Sequence, residues 1–368
     1  MQMRGNYKML TITVLILFVV PICAGTAMGY EMSKSRIDSI PTAVADHDNS
    51  DFSRMLIDCI KENDVFNVTY YAATDDEIEQ QLFDGEAYVG VIIPDGLSRD
   101  VQNGNAPEVM VVYDGTYIIV AASARAAMAE IIQTVKAGYM LGVYEGKLGI
   151  PEAGSSKMIQ PFEPVYRILY NPARDYRNFF LPGLITAIIQ VGIVIVGLER
   201  AKEERTGFKR DFAKIFYTGL VGTLSIAVNM LIQYCFFGMP FRGGIFAFLL
   251  LTLQFSTCMA AFGYLFGKAI PDKILSTQIA CLFVLPAAIL GGYTFPLMAM
   301  PAFFQRLRMA IPLSYYGEDL RNLALKDIGV AYLASDMLYF LIFLCVELAV
   351  IYGITAVGNY GERRRVNA

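Results

Sequence analysis

The stretch LERAKEERTGFKR, residues 198–210, carries both signs of charge at high density. It is flanked by FFLPGLITAIIQVGIVIVGL (179–198) and IFYTGLVGTLSIAVNMLIQYCFF (215–237), neither of which holds an Asp, Glu, Lys or Arg. About 20 apolar residues suffice to cross the hydrocarbon core of a bilayer as a helix. The strip therefore reads as a short linker joining two spans, and the fold follows from it.

Working outward, four more segments of this length and character appear. The six spans are Leu10–Gly29, Phe179–Leu198, Ile215–Phe237, Ile245–Gly267, Ile274–Phe295 and Met337–Val357. Pro21 and Pro286 should each kink their span, leaving a carbonyl for a neighbouring helix to satisfy. Composition agrees with a membrane protein. Of the 368 residues 55% are hydrophobic and 17% charged, mean hydropathy is +0.45, and soluble domains carry about 25% charge.

Charge placement sets the expected orientation. Residues 30–178 hold 12 Lys and Arg against 23 Asp and Glu, a net of −11, and the rest holds 18 against 11, a net of +7. The basic residues concentrate in the N-terminal tail, the strip (Arg200, Lys202, Arg205, Lys209, Arg210, Lys214), the fourth-to-fifth linker (Lys268, Lys273) and the C-terminal Arg363–Arg365. Loops rich in Lys and Arg stay in the cytoplasm. Both termini are thus expected inside, in keeping with an even number of spans, and the acidic block outside. AGTAMG (24–29) has the small residues of a signal cleavage site, but a 20-residue apolar run suits a retained anchor better.

The acidic block, 31–178, reads as an inserted α+β domain. Helices are expected over 50–62, with Ser50 or Asp51 as cap, from the capping box TDDE (74–77), and over 117–144. FNVTYYAA (66–73), AYVGVIIP (87–94) and EVMVVYDG (108–115) read as strands, and 149–157 as a loop. Cys59 is the only cysteine of this block, so no disulfide can form within it. The segment 291–327 is too polar and Pro-broken to span. Its Phe295, Phe303, Phe304, Tyr315 and Tyr316, with Arg306 and Arg308, suit short helices lying in the outer interface.

Catalytic chemistry is absent. The chain has one histidine, His47, and no Cys pair has metal-ligand spacing. GYLFGKA (263–269) has three residues between its glycines where a phosphate loop needs four, and Ala269 where the loop needs Ser or Thr. No cytoplasmic segment has room for an ATPase or a nucleic-acid-reading domain. Glu347, midway along the sixth span, should face the bundle, since a central charge costs roughly 3 kcal/mol on insertion scales. Asn229 and Gln233, one turn apart, read with Gln190, Gln254 and Gln278 as interhelical glue before they read as a pathway.

Four motifs in order carry a family resemblance: ADHDNSDFSRML (45–56), GEAYVGVIIPDGLSRDVQNGNAPEVMVVYDGT (85–116), RILYNPARDYRNFFLPGLI (167–185) and the Pro-punctuated segment 291–327. Together with the spans they resemble ABC-2 type transporter permeases with a large extracytoplasmic domain after the first span. The resemblance covers nearly the whole chain. It implies a six-helix all-α membrane bundle (residues 1–30 and 179–368) carrying the α+β insertion. It also implies a multi-pass cell-membrane exporter subunit for drug-like, lipid or polymeric substrates, amphipathic or hydrophobic. Such a subunit pairs with a second permease, contacts membrane lipid, binds no nucleic acid and is not itself an enzyme. ATP and magnesium belong to cytoplasmic ABC ATPase partners. By this likeness Glu199, Arg200, Glu203, Glu204, Arg205, Thr206 and Gly207, within the loop 199–214, couple to the ATPase. The family's Gly-Thr is reversed here to Thr-Gly, and the N-terminal amphipathic helix is cut to about eight residues. Gly291, Gly292, Phe295, Pro296, Pro301 and Pro312 would form the outer gate. The rival class is a non-transporting surface receptor with an acidic binding domain, for which five further spans are more membrane than an anchor needs.

Overall fold

A computed structural model describes residues 9–33, 37–103, 105, 107–148, 167, 169–172, 175–203 and 207–366. The chain divides into two compact units, Arg36–Arg167 and the pair Met1–Ser35 with Ile168–Ala368. The first helix, α1 (Met9–Glu31), belongs to the second of these.

The smaller unit runs β1 (Ile40–Asp46), α2 (Asp51–Glu62), β2 (Phe66–Ala72), α3 (Asp75–Phe83), β3 (Val89–Ile93), α4 (Leu97–Gln102), β4 (Met110–Tyr113) and α5 (Ile118–Leu148). The sheet order is β2-β1-β3-β4. β1 lies parallel to both neighbours, and β4 closes the sheet antiparallel to β3. All five residues of β3, VGVII, are buried, as expected of a central parallel strand covered on both faces. One face packs Val44, Val89, Val91 and Ile93 against Leu56 and Ile60 of α2 and Ala124, Met128 and Ile131 of α5. The other packs Ala43, Ala45 and Ile92 against Ile78 of α3.

Local chemistry starts these helices where the sequence expects. Ser50 and Ser53 exchange side chain-to-backbone hydrogen bonds at 3.1 and 3.0 Å around the start of α2. Thr74 accepts from the Glu77 amide at 3.4 Å, while Glu77 reaches back to the Ala73 amide at 2.8 Å. β1 is a strand the sequence does not announce: IPTAVAD has a proline and small residues in place of apolar alternation. Residues 149–157 lie outside the described residues. By length and composition Ile118–Val143 could also cross a membrane, yet its Ala124–Ile131 face completes the sheet's core.

The larger unit adds α6 (Tyr176–Ala201), α7 (Phe208–Phe237), α8 (Ile245–Ala269), α9 (Lys273–Val284), α10 (Ala287–Leu290), α11 (Ala302–Leu307), α12 (Pro312–Leu325) and α13 (Val330–Val366). α1, α6, α7, α8, the α9–α10 pair and the 330–357 part of α13 are each apolar and long enough to cross a membrane. α6 and α8 form the centre. A methyl placed on Gly197 would come 2.5 Å from the Ala260 carbonyl oxygen, and one on Gly263 would come 2.0 Å from that of Val194. These glycines allow the backbone-to-backbone approach typical of membrane helix pairs. Pro286 breaks the fifth span between α9 and α10.

At α1 a π-helical turn, Leu15–Val19, precedes Pro21. Proline removes the donor that would have served the Leu17 carbonyl, and Ser225 of α7 donates to it instead. Two boundaries differ from the expected ones. α6 and α7 extend into the charged strip, leaving only residues 202–207 between them. The segment 291–327 is not wholly superficial, since 11 of the 14 residues of α12 are buried against the bundle.

Candidate functional site

The bundle has two polar ends. At the first, the C-terminus of α6, the N-terminus of α7 and the linker after α8 meet. The Glu199 carboxylate pairs with Lys273 at 2.7 Å. Lys202 donates to the carbonyls of Ile270 and, at 3.1 Å, Pro271. Burial lowers the Lys202 pKa, while the charges of Asp272 and Glu199 oppose that shift. Lys214 bridges Glu203 at 3.0 Å and the Arg200 carbonyl at 3.3 Å, and the Arg200 guanidinium sits 4.7 Å from the Tyr217 ring. Gly207 caps α7 in extended conformation. Glu204, Arg205 and Thr206 lie outside the described residues.

Beneath this surface is a cluster the sequence reading did not single out. Asp211, in the first turn of α7, is fully buried. Its carboxylate is 3.0 Å from the Lys268 ammonium and accepts hydrogen bonds from Tyr264 at 2.7 Å and Thr355 at 3.4 Å. One carboxylate thus ties α7, α8 and α13 together. The available signal was an acid set among the basic residues of the strip, at a helix N-terminus that favours negative charge.

The other end is built around Tyr293. Its hydroxyl accepts from the Gly183 amide at 2.9 Å and donates to the Phe179 carbonyl at 2.8 Å. The phenol thereby takes the place of a backbone hydrogen bond in the first turns of α6, next to the helix-interior Pro182. Gly183 makes room for it, since a methyl there would lie 2.1 Å from the ring. Arg321 of α12 stacks on Tyr293 and Phe179, 4.3 and 4.0 Å from the ring centres, and donates to the Tyr293 carbonyl at 3.1 Å.

The expected gate residues lie in the same segment of chain as Tyr293 and Arg321. Gly291 ends α10, and Gly292 turns the chain at φ +80°. Pro296 and Pro301 open short helical turns, Pro312 starts α12, and Phe295 is exposed. Gly291, Gly292 and Pro296 border a cavity of about 470 Å³. The spacing of Pro and Gly marked the segment, whereas the pairing of Tyr293 and Arg321 with α6 had no sequence signal.

Between the ends, Gln233 donates to the Gly25 carbonyl of α1 at 3.0 Å, and Asn229 to Ser225 of its own helix at 3.0 Å. Gln190 reaches the Val284 carbonyl at 3.3 Å. Gln278 is exposed. Glu347 is only 5% exposed, and neither carboxylate oxygen has a hydrogen-bond partner. No cluster of three or more potential metal-ligating acids, histidines or cysteines occurs among the described residues.

Residues 7–357 match the family model described as ABC-2 family transporter protein. The chain is similar to the "Probable multidrug ABC transporter permease YbhR" of Escherichia coli (strain K12), at 24% identity over 298 residues, 77% of each chain. It is similar to the "Probable multidrug ABC transporter permease YbhS" of the same strain, at 26% over 184 residues, covering 45% of this chain and 49% of that one. The "Inner membrane transport permease YhhJ" of that strain is 23% identical over 336 residues, 86% of this chain and 83% of the relative.

Proposed function

Because the chain belongs to the ABC-2 family of transporter proteins, a family of multi-pass permeases whose ATP hydrolysis resides in separate subunits, we propose that it is the membrane subunit of an exporter. Its substrate would be amphipathic or hydrophobic: a drug-like compound, as the names of YbhR and YbhS suggest, a lipid or a polymer. ATP and magnesium would be bound by the partner ATPases, and a second permease copy or paralogue would complete the pore.

The observation that carries this reading is the clamped surface formed by Glu199, Lys202, Glu203 and Lys214 with Ile270–Lys273. A subunit without its own motor needs a stiff, charged patch that a motor can push, and this patch joins the second-to-third and fourth-to-fifth linkers. Both linkers are rich in Lys and Arg, so the patch faces the cytoplasm in this proposal, with both termini inside and Arg36–Arg167 outside. Thrust on residues 199–214 would pass through Asp211 into α7, α8 and α13 and rock them. The segment 291–327 would act as the gate at the far end, about 39 Å away along the 26 residues of α6.

Combined reversal of Glu203→Lys, Glu204→Lys and Arg205→Glu tests the proposal. Expected are loss of ATPase co-purification and of dye or lipid efflux in vesicles, with little change in melting temperature. Undiminished co-purification and efflux would overturn the coupling role.

A further inference from the structure

The cavity at the Tyr293 end has a composition that gating does not require. Two cations, Arg321 and Lys326, line it together with a single carboxylate, Glu318. That carboxylate is turned onto Arg308, 3.6 Å away. Neither Arg321 nor Lys326 has a carboxylate partner among the described residues. Arg321 is held by aromatic rings and one carbonyl, its Nε unpartnered, and Lys326 rests 5.4 Å from the Tyr170 ring. Ser314, 4% exposed, lines the same space with its hydroxyl unpaired.

Half-buried positive charge without a counter-charge is costly, and a planar guanidinium beside an ammonium and a hydroxyl suits phosphate oxygens. The volume of about 470 Å³ lies within the range of ligand pockets, roughly 300–1,000 Å³. Met298, which lines it, is 92% exposed, and Phe295, Phe303 and Met309 of the same segment are exposed as well. The cavity sits at the end of membrane-length helices, the depth at which lipid headgroups lie.

We propose that this cavity binds the phosphate headgroup of an anionic membrane lipid, with the exposed 295–309 face lying along its acyl chains. The inference rests on the membrane-spanning reading of the bundle and is independent of transport direction and of ATPase coupling. A negative result here therefore leaves the proposed function untouched.

The test is lipid binding to the purified full chain in detergent, followed by native mass spectrometry with phosphatidylglycerol, diacylglycerol and inorganic phosphate as probes. Expected is retention of one phosphatidylglycerol per chain and no retention of diacylglycerol. Lys326→Gln should weaken binding about tenfold, as loss of one charge-assisted contact would. Glu318→Gln should strengthen it, and Lys273→Gln at the opposite end should leave it unchanged. The opposite signs of the first two variants separate a binding role from damage to the fold. Equal retention of diacylglycerol, or full affinity in Lys326→Gln, would overturn the proposal. Inorganic phosphate bound as tightly as phosphatidylglycerol would overturn the assignment to lipid.

Discussion

Asp319 shows how a single side chain in α12 makes stability depend on pH. It is buried, and one of its oxygens has no partner. Burial first, then the neighbouring charges of Asp336 and Glu318, push its pKa up to about 8. An unfolded Asp titrates near 4, so between about pH 4 and 8 the folded chain holds a proton that the unfolded chain has lost. Stability from this group is therefore full at low pH, declines as pH rises toward 8 and is flat above. Asp319→Asn should remove that dependence, and the purified variant should melt several degrees above the wild type at pH 8.5 and by a clearly smaller margin at pH 5.5, where only part of the contribution has been lost. An equal gap at the two pH values would contradict the shift. Single residues also mark the limits of sequence reading. The interior orientation of Glu347 was legible, because one charge in an apolar run has only one tolerable direction. The role of Asp211 was not, because its partners Tyr264, Lys268 and Thr355 come from helices distant in sequence.

Among elements, the Asp211–Lys268 pair is the firmest joint, with side chains 0% and 13% exposed. Breaking a buried pair from one side strands the other charge, at about 3–5 kcal/mol. Asp211→Ala should therefore lower the melting temperature strongly, and adding Lys268→Met should restore part of the loss. A double variant as unstable as the sum of the single ones would mean that the two groups act separately. The exposed Glu199–Lys273 bridge is worth far less, about 0–1 kcal/mol, so its importance would lie in geometry. The long helices and the strand β3 were readable from apolar run length and cap chemistry, whereas β1, with a proline and small residues, and the short α4 were not. The ends of α6 and α7 were misjudged because charged residues continue a helix readily once its neighbours have fixed the axis. The depth of α12 was missed because polar residues such as Asp319 and Asn322 are buried there through contacts that no local pattern announces.

For the whole molecule, the asymmetric distribution of Lys and Arg makes a claim about sides. In cells expressing a variant without native cysteines, a thiol introduced at Asp76 should react with an impermeant reagent, and one at residue 204 should react only after lysis. The reverse pattern would invert the proposed topology. The presence of several membrane-length apolar helices was legible because hydrophobic thickness leaves few alternatives to a run of about 20 apolar residues. What joins distant pieces was not legible, and Tyr293 illustrates it. If the phenol withdrew, a buried amide at 183 and a part-buried carbonyl at 179 would lose the partner that replaces their helical bond, a cost that buried backbone groups rarely bear. Ring and helix must consequently travel as one body, so any widening of the bundle at this end has to carry residues 291–297 along with the second span.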